Sequence, residues 1–146
     1  MRKRTKAREL ALEALYRFEI TSDNPDTILD DICARTHLTK EIIEFMRILV
    51  YTTIKELIAI DEIISQVVEN WKMDRLAIID KNILRLATCE IMYFKDTPEK
   101  VSINEAIELA KKYSTAESGK FVNGILDKVI NEKKTQMPKL KTQNSN

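Results

Sequence analysis

The 146 residues suit one domain or two small ones packed together, and with Gly 2 and Pro 3 the chain lacks the turn formers that a β-rich fold of this length needs. No apolar run approaches the roughly 18 residues of a membrane span, and Glu9, Glu13 and Arg17 interrupt the stretch where a signal peptide would carry its apolar core. The net charge of +1 conceals an asymmetry: residues 1–8 hold five bases and residues 133–146 hold four, neither segment has an acid, and the body between them nets −8, a distribution that hints at an anionic partner.

Along the chain, Ala7, Leu10, Ala11, Ala14, Leu15 and Phe18 recur at the 3.6-residue period of a first helix. The turn formers Ser22-Asp23-Asn24-Pro25-Asp26 stop it, and a short helix from about Asp26 to Ala34 carries Ile28, Leu29 and Ile32. Thr39 is placed to cap a long apolar-rich helical stretch that runs to about Asn70, with a kink expected near Ala59-Ile60-Asp61. The β-branched run Val50–Ile54 has no partner strand and reads as buried helix. Trp71–Asp74 reads as a connector with Asp74 as the cap of a helix carrying Leu76, Ile79, Ile83, Leu86, Ala87 and Phe94. Asp96-Thr97-Pro98 ends that helix. Ser102 then opens another, with Glu105 three residues on in a capping-box pattern. The last helix starts near Ala116-Glu117-Ser118 and carries Phe121, Val122, Ile125, Leu126 and Val129. The reading is an all-α fold of six to seven helices: residues 1–134 form the domain and the lysine-rich segment 135–146 a flexible tail.

The sequence offers little for catalysis. It has no glycine-rich loop, the acids fall mainly on polar helix faces, and the single histidine, His37, reads as a partly exposed turn residue. Cys33 and Cys89 are isolated, with neither disulfide-framework nor zinc-ligand spacing, which makes a reduced cytoplasmic setting the default. No enzyme activity, metal or cofactor is expected.

Four ordered strings carry a positive signal: Arg4-Thr-Lys-Ala-Arg-Glu-Leu-Ala-Leu-Glu-Ala-Leu-Tyr16; Trp71 with Arg75-Leu-Ala-Ile-Ile-Asp80 and Ile83-Leu-Arg-Leu-Ala87; Val101-Ser-Ile-Asn-Glu-Ala-Ile-Glu-Leu-Ala-Lys111; and Lys120-Phe-Val-Asn-Gly-Ile-Leu-Asp-Lys128. In this order the chain closely resembles the NusB family of bacterial transcription antitermination factors over about residues 2–132. The resemblance implies two small helical bundles packed together (NusB-like) and no catalysis. It also implies binding of boxA single-stranded RNA as a heterodimer with the ribosomal protein NusE. That pair assembles, with RNA polymerase and other Nus factors, a complex that suppresses premature termination in ribosomal RNA operons. Some members of the family form homodimers. Two alternatives stand beside it. One is the NusB-like module that precedes some ribosomal RNA cytosine methyltransferases; the absence of a glycine-rich cofactor loop and of a following catalytic domain speaks against it. The other is a helical adaptor that binds protein alone, against which the basic first turn argues.

On charge alone Arg2, Lys3, Arg4, Lys6 and Arg8 read as a solvated helix end; the resemblance makes them RNA backbone contacts, with arginine able to stack on bases as well. Lys112 and Lys120 are further phosphate candidates. Phe121 fits two roles equally, a base-stacking ring or the first core residue of the last helix. Asn123 and Gly124 are weak helix formers, so close packing or a backbone contact is expected there. For the NusE contact the resemblance favours Tyr16, off the core face of the first helix, with an acidic patch of Glu13 and Asp80 to meet a basic partner; as structural residues, Tyr16 would be half-buried core and Asp80 a helix-face acid.

Overall fold

The computed structural model describes residues 3–35, 37–68 and 73–144, with side chains described through Thr135. These residues form seven α-helices and a short 3-10 turn (Met73–Arg75), without a strand. The helices are α1 (Lys3–Thr21), α2 (Pro25–Arg35), α3 (Lys40–Lys55), α4 (Leu57–Val67), α5 (Ile78–Tyr93), α6 (Glu99–Tyr113) and α7 (Ala116–Asn144). One bundle is α1–α3 and the other α4–α7, and they meet where α1 and α3 pack on α5.

The first helix is the axis of the molecule. Its expected apolar face is buried from Ala7 to Leu15 and half-buried at Phe18, but Arg8, Glu9 and Leu12 are buried too, because α1 packs on α2 and α3 and also on α5. It ends where Ser22 takes the only positive φ among the described non-glycine residues, 58°. The turn then hands over directly to α2. The Asn24 side chain accepts from the Asp26 amide at 2.8 Å, and Pro25 follows in the first helical position, where its missing N–H is not needed.

Thr39 caps α3, its hydroxyl accepting from the Ile42 amide, and the β-branched run Val50–Ile54 is helical. The break in the long stretch falls at Glu56 (φ −99°, ψ 18°), a few residues before the expected kink. Two expected caps are corrected. Asp74 lies in the 3-10 turn and α5 starts after Ala77, with no side-chain cap; Leu76, counted as helical, is buried ahead of the helix. Ser102 does not open α6, which starts three residues earlier behind Pro98. The Ser102 hydroxyl instead donates to Glu90 Oε1 at 3.2 Å, and Glu105 accepts from the Thr5 hydroxyl at 2.8 Å. This Ser/Glu pair joins helices rather than capping one.

Charged groups also tie the bundles. Arg85 on α5 reaches Asp61 on α4 through two bonds of 2.8 and 2.9 Å and Glu19 on α1 at 2.7 Å, while Lys81 pairs with Glu19 at 2.5 Å. Burial pushes the Glu19 carboxyl up, but its bonds to Lys81 and Asn82 and the Arg85 charge outweigh that, holding it below the usual carboxylate range. The backbone of α7 stays helical to Asn144, through the segment read as a tail from Thr135. Among the described residues, no helix is long and apolar enough to cross a membrane.

Candidate nucleic-acid and partner interface

Arg2, the first of the basic run, lies outside the described residues, as does Trp71. The rest of the run does not act as one unit. Lys3 is exposed and pairs with Glu41 on α3 at 2.9 Å. Arg4 sits over the Phe45 ring, 4.5 Å from its centroid, and its Nη1 donates to the Thr97 hydroxyl at 3.5 Å. Lys6 is half-exposed, with no ion-pair partner among the described residues. Arg8 departs from the expectation. Its side chain is 3% exposed. Its guanidinium donates to Glu90 through Nε (2.9 Å) and Nη2 (2.7 Å), pairs with Glu105 at 3.6 Å and lies 5.2 Å from the Phe45 centroid. One turn after Arg4 and on the same face, the helix has run under α5 and α6, and the head group read as a phosphate contact is a core ion pair.

A second set of cations stands where α6 ends and α7 begins. Lys112, in the last turn of α6, reaches Glu9 on α1 at 2.8 Å and lies over the Tyr113 ring. The bond to Glu9 raises the affinity of Lys112 for its proton. Thr115 caps α7, its hydroxyl accepting from the Ser118 amide at 3.0 Å. No residue of Ser114-Thr115-Ala116 adopts a positive φ, so this turn needs no glycine. Lys120, at the start of the second turn of α7, is 80% exposed, and among the described residues its one ion-pair contact is a long one of 3.8 Å to Glu117.

Phe121 lies at the edge of the core rather than wholly inside it. It is half-buried against the core, and it lines a surface groove of about 340 Å³ with Arg75, Leu76, Asp80 and Ser118. Asp80 is more than a helix-face acid. Its Oδ2 accepts from the Ser118 hydroxyl at 3.1 Å, pinning α5 to α7, while its Oδ1 is buried without a hydrogen-bond partner. A buried carboxylate oxygen left unpaired is costly.

Glu13 and Tyr16 are both exposed on α1, Tyr16 by 38%. Glu13 pairs with Arg35 at the end of α2, whereas Asp80 is tied to α7; no ion pair or hydrogen bond joins the two acids among the described residues. Gly124 also departs from the expectation of close packing, since a Cβ there would meet nothing within 4 Å. Sequence reasoning missed Phe45 and Thr97 as members of the basic pole. Phe45 reads in its own stretch as one more apolar residue of α3, and the signal lay in Arg4, whose planar group suits an aromatic neighbour.

The fold and surface define a small all-helical binding protein whose cations gather at helix ends. The family model of the NusB family matches residues 5–131. The chain is 42% identical over 142 residues to a transcription antitermination protein NusB of Chloroherpeton thalassium, covering 91% of this chain and 64% of that relative's length. It is 43% identical over 131 residues to the NusB of Pseudothermotoga lettingae, covering 88% of this chain and 91% of the relative. A solved structure of antitermination factors NusB and NusE in complex with dsRNA has a chain that superposes with a TM-score of 0.83 at 30% identity, covering 90% of this chain and 98% of that one. The chain belongs to the NusB family.

Proposed function

We propose that this chain is a non-catalytic, RNA-binding transcription antitermination factor of the cytoplasm. In this reading it binds boxA single-stranded RNA as a heterodimer with NusE and joins RNA polymerase and other Nus factors on ribosomal RNA operons, with homodimerisation as a second use of its surface. The observation that carries the reading is the basic pole, where Lys3, Arg4 and Lys6 emerge from the first turn of α1 while Lys112, further along, ties α6 to the same helix. Such a cationic edge on an otherwise acidic body suits a phosphate chain. The NusB name of the relatives and the NusB–NusE–dsRNA structure support the same reading. Lys120 and Phe121 extend the RNA surface. The Phe121–Asp80 groove, with Tyr16 and Glu13 on α1, offers the contacts for NusE, a basic ribosomal protein that acidic side chains would complement.

The test is a titration of boxA RNA and a scrambled control, with and without NusE, at several salt concentrations. Four neutralised phosphates give about fiftyfold weaker binding between about 50 and 200 mM salt, at a slope of about −0.7 per phosphate. Lys6→Gln and Lys120→Gln each lower that slope by about 0.7, and Asp80→Lys weakens NusE binding with the helical content unchanged. Equal, weak binding of both RNAs with no effect of NusE overturns the reading.

A further inference from the structure

Beside the basic pole lies a second groove, of about 470 Å³, between α3 and the turn from α5 to α6. That volume is in the range of sites that take small organic groups, about 300–1,000 Å³. We propose that this groove is a nucleobase subsite, which takes one unstacked base of a single-stranded RNA whose backbone runs along the first turn of α1. The proposal rests on the RNA-binding reading above and extends it to a surface of different composition.

Four observations carry it. Arg4 belongs to both surfaces: it is in the first turn of α1, and its guanidinium forms part of the groove wall, held flat-group to ring by Phe45 and tethered to Thr97. Phe45 is itself braced by an edge-to-face contact with Phe94, centroids 5.9 Å apart, so the platform is fixed before any ligand arrives. The rest of the wall is largely apolar surface exposed to solvent, chiefly Ile48, 54% exposed, and the ring of Tyr93, whose hydroxyl donates to Glu56 at 3.5 Å. The charge at the rim favours an anion-bearing ligand: Lys95 is exposed with no ion-pair partner among the described residues, and Asp96 is the one acid in the lining. The hydroxyls of Thr52 and Thr97 supply hydrogen-bonding groups for a base edge. Flat cationic and aromatic groups, a few hydroxyls and a positive rim are what single-strand recognition uses, because an unstacked base needs a π-face and its phosphate a cation.

The experiment uses the full chain and a 12-nucleotide boxA RNA in which 2-aminopurine replaces one base at a time. Expected is one position whose fluorescence is quenched on binding, and whose quench is lost in Ile48→Glu and in Arg4→Lys. Both substitutions fall on exposed residues. Ile48→Glu weakens binding about tenfold, the scale of one lost stacking contact. Arg4→Lys retains the charge and the salt dependence but loses the planar group. Lys120→Glu, outside the groove, weakens binding while the quench at saturation persists. If the wild-type chain binds the RNA and Lys120→Glu weakens it, yet both groove variants keep affinity and quench, the groove proposal is overturned and the RNA-binding reading stands. If the groove variants instead abolish self-association in sedimentation and leave RNA binding intact, the groove is a surface between copies and the proposal is overturned. Absence of RNA binding by the wild-type chain, both alone and with NusE present, overturns both.

Discussion

Arg8 and Glu90 close a two-pronged ion pair, 2.7 and 2.9 Å, with both side chains almost wholly out of solvent. Ser102 and Glu105 complete the polar island, so no charge in it is left to face the core alone. Removing one partner strands the other. Arg8→Ala is therefore expected to cost about 3–5 kcal/mol, read as a fall in urea midpoint. The double change Arg8→Met with Glu90→Leu recovers much of that loss, because it removes both charges together. A wild-type melting curve for Arg8→Ala would place the guanidinium outside the core.

Gly124 offers the opposite sign. It lies on the exposed side of α7 with open space around its Cβ position. Gly124→Ala should stabilise the fold by about 0.5–1 kcal/mol in thermal or urea unfolding, through lower chain entropy and better helix propensity. At Gly119 the same change gains less, because the new Cβ would meet Lys111 Cγ at 3.3 Å. If Gly124→Ala also weakens RNA or NusE binding, the bare backbone there is being approached by a partner.

Glu19 sets an acid dependence. Burial opposes its ionisation, but Lys81, Asn82 and Arg85 together hold its carboxyl below the ordinary glutamate range. A carboxylate with a depressed folded pKa contributes stability that is present above its unfolded value and is lost as pH falls through the folded one. Melting temperature should accordingly drop as pH is taken below about 4.5, and the drop should be shallower in Glu19→Gln. Parallel pH profiles for the two proteins would remove Glu19 from the acid response.

The two cysteines should separate by reactivity. Burial is the main cause that pushes the Cys89 thiol up to about 12, with only partial relief from its bond to Thr53; its thiolate is scarce at pH 8. Cys33 is half-buried near the surface of α2. A disulfide reagent should label one thiol per native chain promptly and the second only on denaturation. Prompt labelling of both would mean that α5 opens readily.

Helix number, order and most boundaries were legible because they depend on local periodicity and turn chemistry, as at Thr39 and Ser22–Pro25. The misread caps, Asp74 and Ser102–Glu105, show the limit of local pattern. A Ser followed three residues on by Glu serves a helix end only if that helix starts there, and Pro98 starts α6 sooner. Arg8 was misread for a related reason. Its neighbours Arg4 and Lys6 remain at the surface, and nothing within the first helix reveals that Glu90, 82 residues away, comes to meet it. The Arg4–Phe45 platform and the buried Oδ1 of Asp80 likewise depend on contacts between helices, which no single stretch encodes.

The central position of α1 has a consequence for how the protein is made. The first helix to leave the ribosome finds Glu90, Glu105 and Lys112 only after a further 82 to 103 residues have been synthesised. Until then Arg8 and Glu9 lack the partners that bury them. Contacts so distant along the chain close late in folding, so a stalled or half-length nascent chain carries the basic residues without the frame that orients them.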